Sequence, residues 1–76
     1  MFQVTAIYQD SEIGYGEGES VAYAIDDCAA SIPAIFENER VVISILSDDG
    51  VVEKIKGRVY LDMNGVSNIC DRVQIN

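Results

Sequence analysis

Histidine and tryptophan are absent from this chain, proline occurs once (Pro33), and no lysine or arginine precedes Arg40. Each gap removes a class of function. Without histidine no side chain has its ordinary pKa near neutrality, so acid–base catalysis would need a carboxylate tuned by an apolar pocket. The cysteines, Cys28 and Cys70, stand far apart with no CxxC pair, so no zinc-binding set can be assembled. The acidic residues do not follow calcium-loop spacing. No stretch approaches the ~20 consecutive apolar residues of a membrane helix, and the base-free start is unlike a signal peptide. The expectation is no catalytic residue, no metal and no cofactor, in a soluble cytoplasmic protein that does not touch membranes.

What is present is compact and acidic. The chain has 76 residues, is 49% hydrophobic and 24% charged, and carries a formal net charge of -8. That composition is globular, not disordered. The length fits a single domain, residues 1–76, with a folded surface near ~4,600 Å² and room for one thin two-layer core. A deep substrate cleft would not fit.

The charge is divided unevenly. Residues 1–39 hold eight acids (Asp10, Glu12, Glu17, Glu19, Asp26, Asp27, Glu37, Glu39) and no base. Residues 40–76 hold five acids (Asp48, Asp49, Glu53, Asp62, Asp71) and five bases (Arg40, Lys54, Lys56, Arg58, Arg72), which cancel. An acidic surface repels phosphate backbones, so direct nucleic-acid binding is disfavoured. It attracts basic protein surfaces, including the grooves that hold nucleic acid.

Alternation of Phe2, Val4, Ala6 and Tyr8 with polar neighbours predicts a strand over 2–9. After a polar break at Asp10-Ser11-Glu12, residues 13–17 predict a glycine-weakened second strand. Glycines there mark a bulge or a close approach by another backbone. Ser20 is a helix N-cap, and Val21, Ala24, Ile25, Cys28 and Ile32 share one helical face, with Tyr23, Asp26, Asp27 and Ala30 opposite. Pro33 ends the helix near Ser31, and Ile35 and Phe36 are expected to fold back as a lid. Val41–Leu46 predicts a central strand. Asp49-Gly50 predicts a two-residue hairpin turn. The return strand, 51–63, has a core side of Val51, Ile55, Val59, Leu61 and Met63 with Glu53 and Gly57, and a basic side of Val52, Lys54, Lys56, Arg58, Tyr60 and Asp62. Gly57 suggests a bulge or bend. After Asn64-Gly65, residues 66–75 fit a helix or a strand interrupted by Asp71; the turn favours the strand. The expected order is β-β-α-β-β-β, an α+β fold with one helix on a mostly antiparallel sheet.

Gly14-Tyr15-Gly16-Glu17-Gly18-Glu19-Ser20 leads into the helix, as phosphate-cradling loops do. It lacks dinucleotide spacing and a following lysine. Its two carboxylates would repel a phosphate at about 4 Å by about 1 kcal/mol even in water. A bulged strand entering a capped helix explains it better. Cys28, on the apolar face, reads as a small buried hydrophobe whose thiol pKa is raised by Asp26 and Asp27. Tyr15 and Tyr23 sit among carboxylates, where tyrosine offers contact area at low entropic cost.

The segment Gly18-Glu19-Ser20-Val21-Ala22-Tyr23-Ala24-Ile25-Asp26-Asp27-Cys28-Ala29, following two short strands, resembles the ββα opening of the HicB antitoxin family. The likeness covers residues 2–32. The loop between the strands is shorter than in that family, and Tyr23 replaces a usual acid. The resemblance implies a module that neutralises a partner, not a catalyst. Small size, acidity and no catalytic set are similar, as a class, to phage anti-CRISPR and anti-defence inhibitors. The leading expectation is thus a non-enzymatic protein-binding inhibitor. Asp10, Glu12, Glu17, Glu19, Asp26 and Asp27 supply charge and Tyr15 and Tyr23 anchor against a basic, nucleic-acid-binding surface of a protein partner. The alternative is a structural, self-associating domain, a homodimer formed through an exposed edge of the Val41–Met63 sheet, with the acids merely solvating. A third reading makes Lys54, Lys56 and Arg58 a small anion-binding face.

Overall fold

Strand β1 (Phe2–Tyr8) turns back into β2 (Ser11–Gly18), followed by helix α1 (Val21–Ala30), a 3-10 turn at Ala34–Phe36, and strands β3 (Arg40–Leu46), β4 (Val52–Leu61) and β5 (Ser67–Ile75). The computed structural model describes residues 1–75. The strands form one sheet in the order β2-β1-β3-β4-β5, with every neighbouring pair antiparallel. The α+β class and the β-β-α-β-β-β order are those expected from the sequence. Because β2 and β3 both pair with β1, α1 links two parallel strands that flank it, a split β-α-β unit.

The core lies between α1 and one sheet face. Val4 and Ala6 of β1, Ile43 of β3 and Val59 of β4 are 0% exposed, as are Ala24 and Cys28 of the helix. The accessible surface, 4734 Å², is close to the ~4,600 Å² expected for this mass. Ser20 caps the helix, its Oγ accepting from the Tyr23 N–H at 3.1 Å. Val41, Ile43 and Ile45 alternate inward along the central strand.

Several local expectations need correction. The first turn is Gln9-Asp10, both at positive φ (49° and 66°), so β2 begins at Ser11 and takes in part of the polar break. Asp49-Gly50 is not a two-residue turn. Ser47 N–H donates to Val51 O, leaving a three-residue loop in which only Gly50 (φ 82°) is left-handed, the usual type I turn with a bulge. The Asp62–Val66 loop repeats that pattern at Gly65 and leaves Met63 fully exposed; Val51, in the preceding loop, is 55% exposed, so both lie outside the core face expected for them. Phe36 folds back, its ring meeting Tyr8 edge-on at 5.4 Å, but Ile35 is 84% exposed. Successive residues of a 3-10 turn point about 120° apart, so only one can reach the core.

Residues 67–75 are a strand. Opposite Gly57, register slips between Lys56↔Val73 and Arg58↔Cys70, and Asp71 takes the extra position at φ 54°. A Cβ on Gly57 would lie 2.3 Å from Ile69 Cγ2. The irregularity expected at Gly57 is therefore a bulge in its neighbour. Finally, β3 and β4 are both flanked on two sides, so the Val41–Met63 segment has no free edge. The edge-pairing route to a homodimer through that segment is excluded by the strand order.

Candidate functional site

The sequence-predicted acids converge on β2 because of its glycines. Gly14, Gly16 and Gly18 all face α1, and a Cβ on any of them would lie within 3 Å of helix or following-loop atoms. With only hydrogens there, the helix rests against the edge strand and runs alongside it. One of its side chains and that of its C-cap, Ser31, reach the strand's outward amides. Ser31 Oγ accepts from Tyr15 N–H at 2.9 Å, and Asp27 Oδ2 accepts from Glu17 N–H at 3.0 Å. Edge strands with open amides invite pairing by other chains; here the helix closes that route.

The alternate residues of β2, Tyr15 and Glu17, project to the other sheet face, where the Tyr15 hydroxyl donates to Glu17 Oε1 at 3.1 Å. Desolvation, then that carboxylate, raises the Tyr15 phenol above its ordinary pKa. Around the strand's end, Met1, Glu17, Gly18, Glu19, Ser20 and Tyr23 line a shallow groove of about 500 Å³. Tyr23 is 66% exposed. Glu17, Glu19 and Asp27 have no cationic side chain within ion-pair distance among the described residues.

The other predicted members are not in that cluster. Asp26 points to the opposite flank, where Arg72 of β5 lies 3.6 Å away. Asp10 and Glu12 sit at the first turn and the start of β2, and Glu12 pairs with Ile7 where Glu17 pairs with Gln3, so the two acids are about 13 Å apart along the strand. Of the eight residues expected to meet a partner, the fold thus gathers Tyr15, Glu17, Glu19, Tyr23 and Asp27. Asp27 also holds the helix to the strand. Sequence reasoning missed that function, and Ser31 altogether; the signal was the glycine alternation, which says which side a helix can approach.

The described residues contain no cluster of three His, Cys, Asp or Glu able to hold a metal, and no helix long and apolar enough to cross a membrane. Cys28 is 0% exposed. Burial, with a smaller contribution from Asp27, pushes its thiol up to about 11 from an ordinary 9. The folded state therefore favours the thiol while an unfolded chain ionises nearer 9. That contribution is complete below pH 9 and is lost as pH rises toward 11, by up to about 3 kcal/mol. Urea melts at pH 8 and pH 10 should show a steeper alkaline loss for wild type than for Cys28→Ala. Parallel losses would contradict the burial argument.

Together these features define a small two-layer α+β domain with a helix-sealed sheet edge and an acidic, tyrosine-bearing rim. No protein-family model matches the chain, and neither a curated protein nor a solved structure shows significant similarity to it.

Proposed function

We propose that this chain is a non-enzymatic protein-binding module that presents the β2–α1 rim to a basic surface of a protein partner. The supporting observation is the grouping of Glu17, Glu19 and Asp27, with no Lys or Arg side chain at ion-pair distance among the described residues, beside the exposed rings of Tyr15 and Tyr23. Carboxylates steer a basic partner into encounter, and tyrosines supply contact area once it has docked. A surface shaped this way suits an inhibitor, of the anti-CRISPR or antitoxin kind, that occupies a Lys/Arg groove used for nucleic acid. It would work in the host cytoplasm and bind no nucleic acid itself. The resemblance of residues 2–32 to the HicB opening points the same way.

A short oligolysine peptide at low ionic strength tests the rim. The Glu17→Gln/Glu19→Gln/Asp27→Asn variant should lose about tenfold or more in affinity, and wild-type binding should weaken steeply with salt. The control Asp10→Asn/Glu37→Gln/Glu53→Gln removes the same formal charge elsewhere and should lose much less. Equal losses would mean that only net charge matters and would defeat the proposal.

A further inference from the structure

Among the described residues none covers the sheet face away from α1, and the charges of that face are arranged differently from those of the whole chain. Strand register sets four rows across it. Glu17, Gln3, Leu46 and Val52 form one. Tyr15, Thr5, Ser44 and Lys54 form the next. Glu12, Ile7, Val42 and Lys56 form the third, and Arg40 and Arg58 close the basic side. In a chain of formal charge -8, the acids that β1–β4 place on this face all lie on β2, while β3 and β4 bring four of the five bases to its other side. Arg58 is paired there with Asp71 of β5 at 2.9 Å, and Arg40, Lys54 and Lys56 have no ion-pair partner among the described residues. Between the acids and the bases lies a neutral strip with half-buried Ile7 and Val42 and the more exposed Leu46 and Val52.

We propose that this open face docks a second copy of the same chain, about a two-fold axis parallel to the strands and passing between β1 and β3. That operation reverses the strand order while preserving position along the strands, so β2 of each copy lies over β4 of the other. Glu12 then falls in the row of Lys56, Tyr15 in the row of Lys54, and Glu17 one pleat from Lys54. The neutral strips meet, Ile7 against Val42. An axis across the strands would instead set acids over acids and bases over bases, and like charges so placed repel. The charge pattern thus selects one symmetry operator, the isologous arrangement expected of a dimer. A hollow of about 230 Å³ lined by Arg40, Val41, Val42 and Lys56 lies where the Glu12 carboxylate of the second copy arrives.

Four overlapping strands present roughly 400 Å² in projection per copy, against the ~800 Å² per partner of a standard stable complex. The dimer is accordingly weak and weakened further by salt. Since Tyr15 and Glu17 belong to both surfaces, a basic partner and a second copy compete for them, and the monomer is the form that binds the partner.

Sedimentation equilibrium at low ionic strength tests this with the chain alone, independently of any partner. Wild type should dimerise within the micromolar range. Lys54→Glu/Lys56→Glu should weaken dimerisation about tenfold or more, as should Glu12→Lys/Glu17→Lys. An equimolar mixture of the two should associate as a heterodimer, although both keep a net negative charge. All four positions are exposed, and circular dichroism checks that each variant is folded. A wild-type chain that stays monomeric at several hundred micromolar would overturn the proposal. So would reversed variants that dimerise like wild type, the outcome expected of pairing along the β5 edge, or a mixture that fails to associate.

Discussion

Gly16→Ala should destabilise the domain by about 3–5 kcal/mol, enough to unfold much of a chain this short. The added Cβ would lie 2.1 Å from Cys28 N and 2.7 Å from both Asp27 C and Cys28 Cα. All three are backbone atoms of α1, so no side-chain rotation relieves the clash; the helix itself must retreat. Retreat by roughly an ångström stretches the Glu17 N–H bond to Asp27 and the Tyr15 N–H bond to Ser31, each worth about 1 kcal/mol. It also opens the core beneath Ala24 and Cys28, adding to the 1–3 kcal/mol typical of overpacking. A domain of this length has about 4–11 kcal/mol in all. Gly50→Ala is the informative control. Nothing lies within 4 Å of its Cβ, but its φ is +82°, so only backbone strain of about 1–2 kcal/mol applies. Urea denaturation would resolve the two. A Gly16→Ala midpoint within experimental scatter of wild type would mean that the helix does not rest on the edge strand as described.

The same contact explains what could and could not be read in the sequence. Spacing alone located α1, its Ser20 cap and its buried face, because a 3.6-residue period is a property of neighbouring residues. A nearly continuous β-branched run likewise identified β3 as central. The turns were less legible. Asp49-Gly50 carries a two-residue signal, yet the loop takes three residues, since hairpin length depends on where the flanking strands pair. Which acids stand together was less legible still. Counting charge along residues 1–39 placed Asp26 with Asp27, but adjacent helical positions diverge by 100°, and Asp26 faces Arg72 from the last strand. The basic side of the open sheet joins Arg40 to Lys54, Lys56 and Arg58 only through the β3–β4 register. Long-range pairing decides each of these, and a local pattern does not contain it.

Ile43→Ala should cost about 4 kcal/mol, whereas Ile35→Ala should change stability by less than about 0.5 kcal/mol. Both are isoleucines in a chain 49% hydrophobic, so composition does not separate them. Ile43 is 0% exposed in the middle strand, its neighbours being Ala6 on β1 and Ile55 on β4. Truncation there leaves a cavity that the sheet cannot close, because β3 is held by hydrogen bonds on both sides. Ile35 is 84% exposed and loses little apolar burial when shortened. With urea slopes near ~1 kcal/mol per molar for a protein this small, Ile43→Ala should lower the midpoint by about 4 M and Ile35→Ala should leave it nearly unchanged. A comparable loss at Ile35 would restore the lid expected from the sequence. A loss below about 1 kcal/mol at Ile43 would mean that the helix-facing layer is not the main support of the fold. In that case the open face, with its covering copy, would have to carry more of the stability, and the Ile43→Ala penalty would depend on protein concentration.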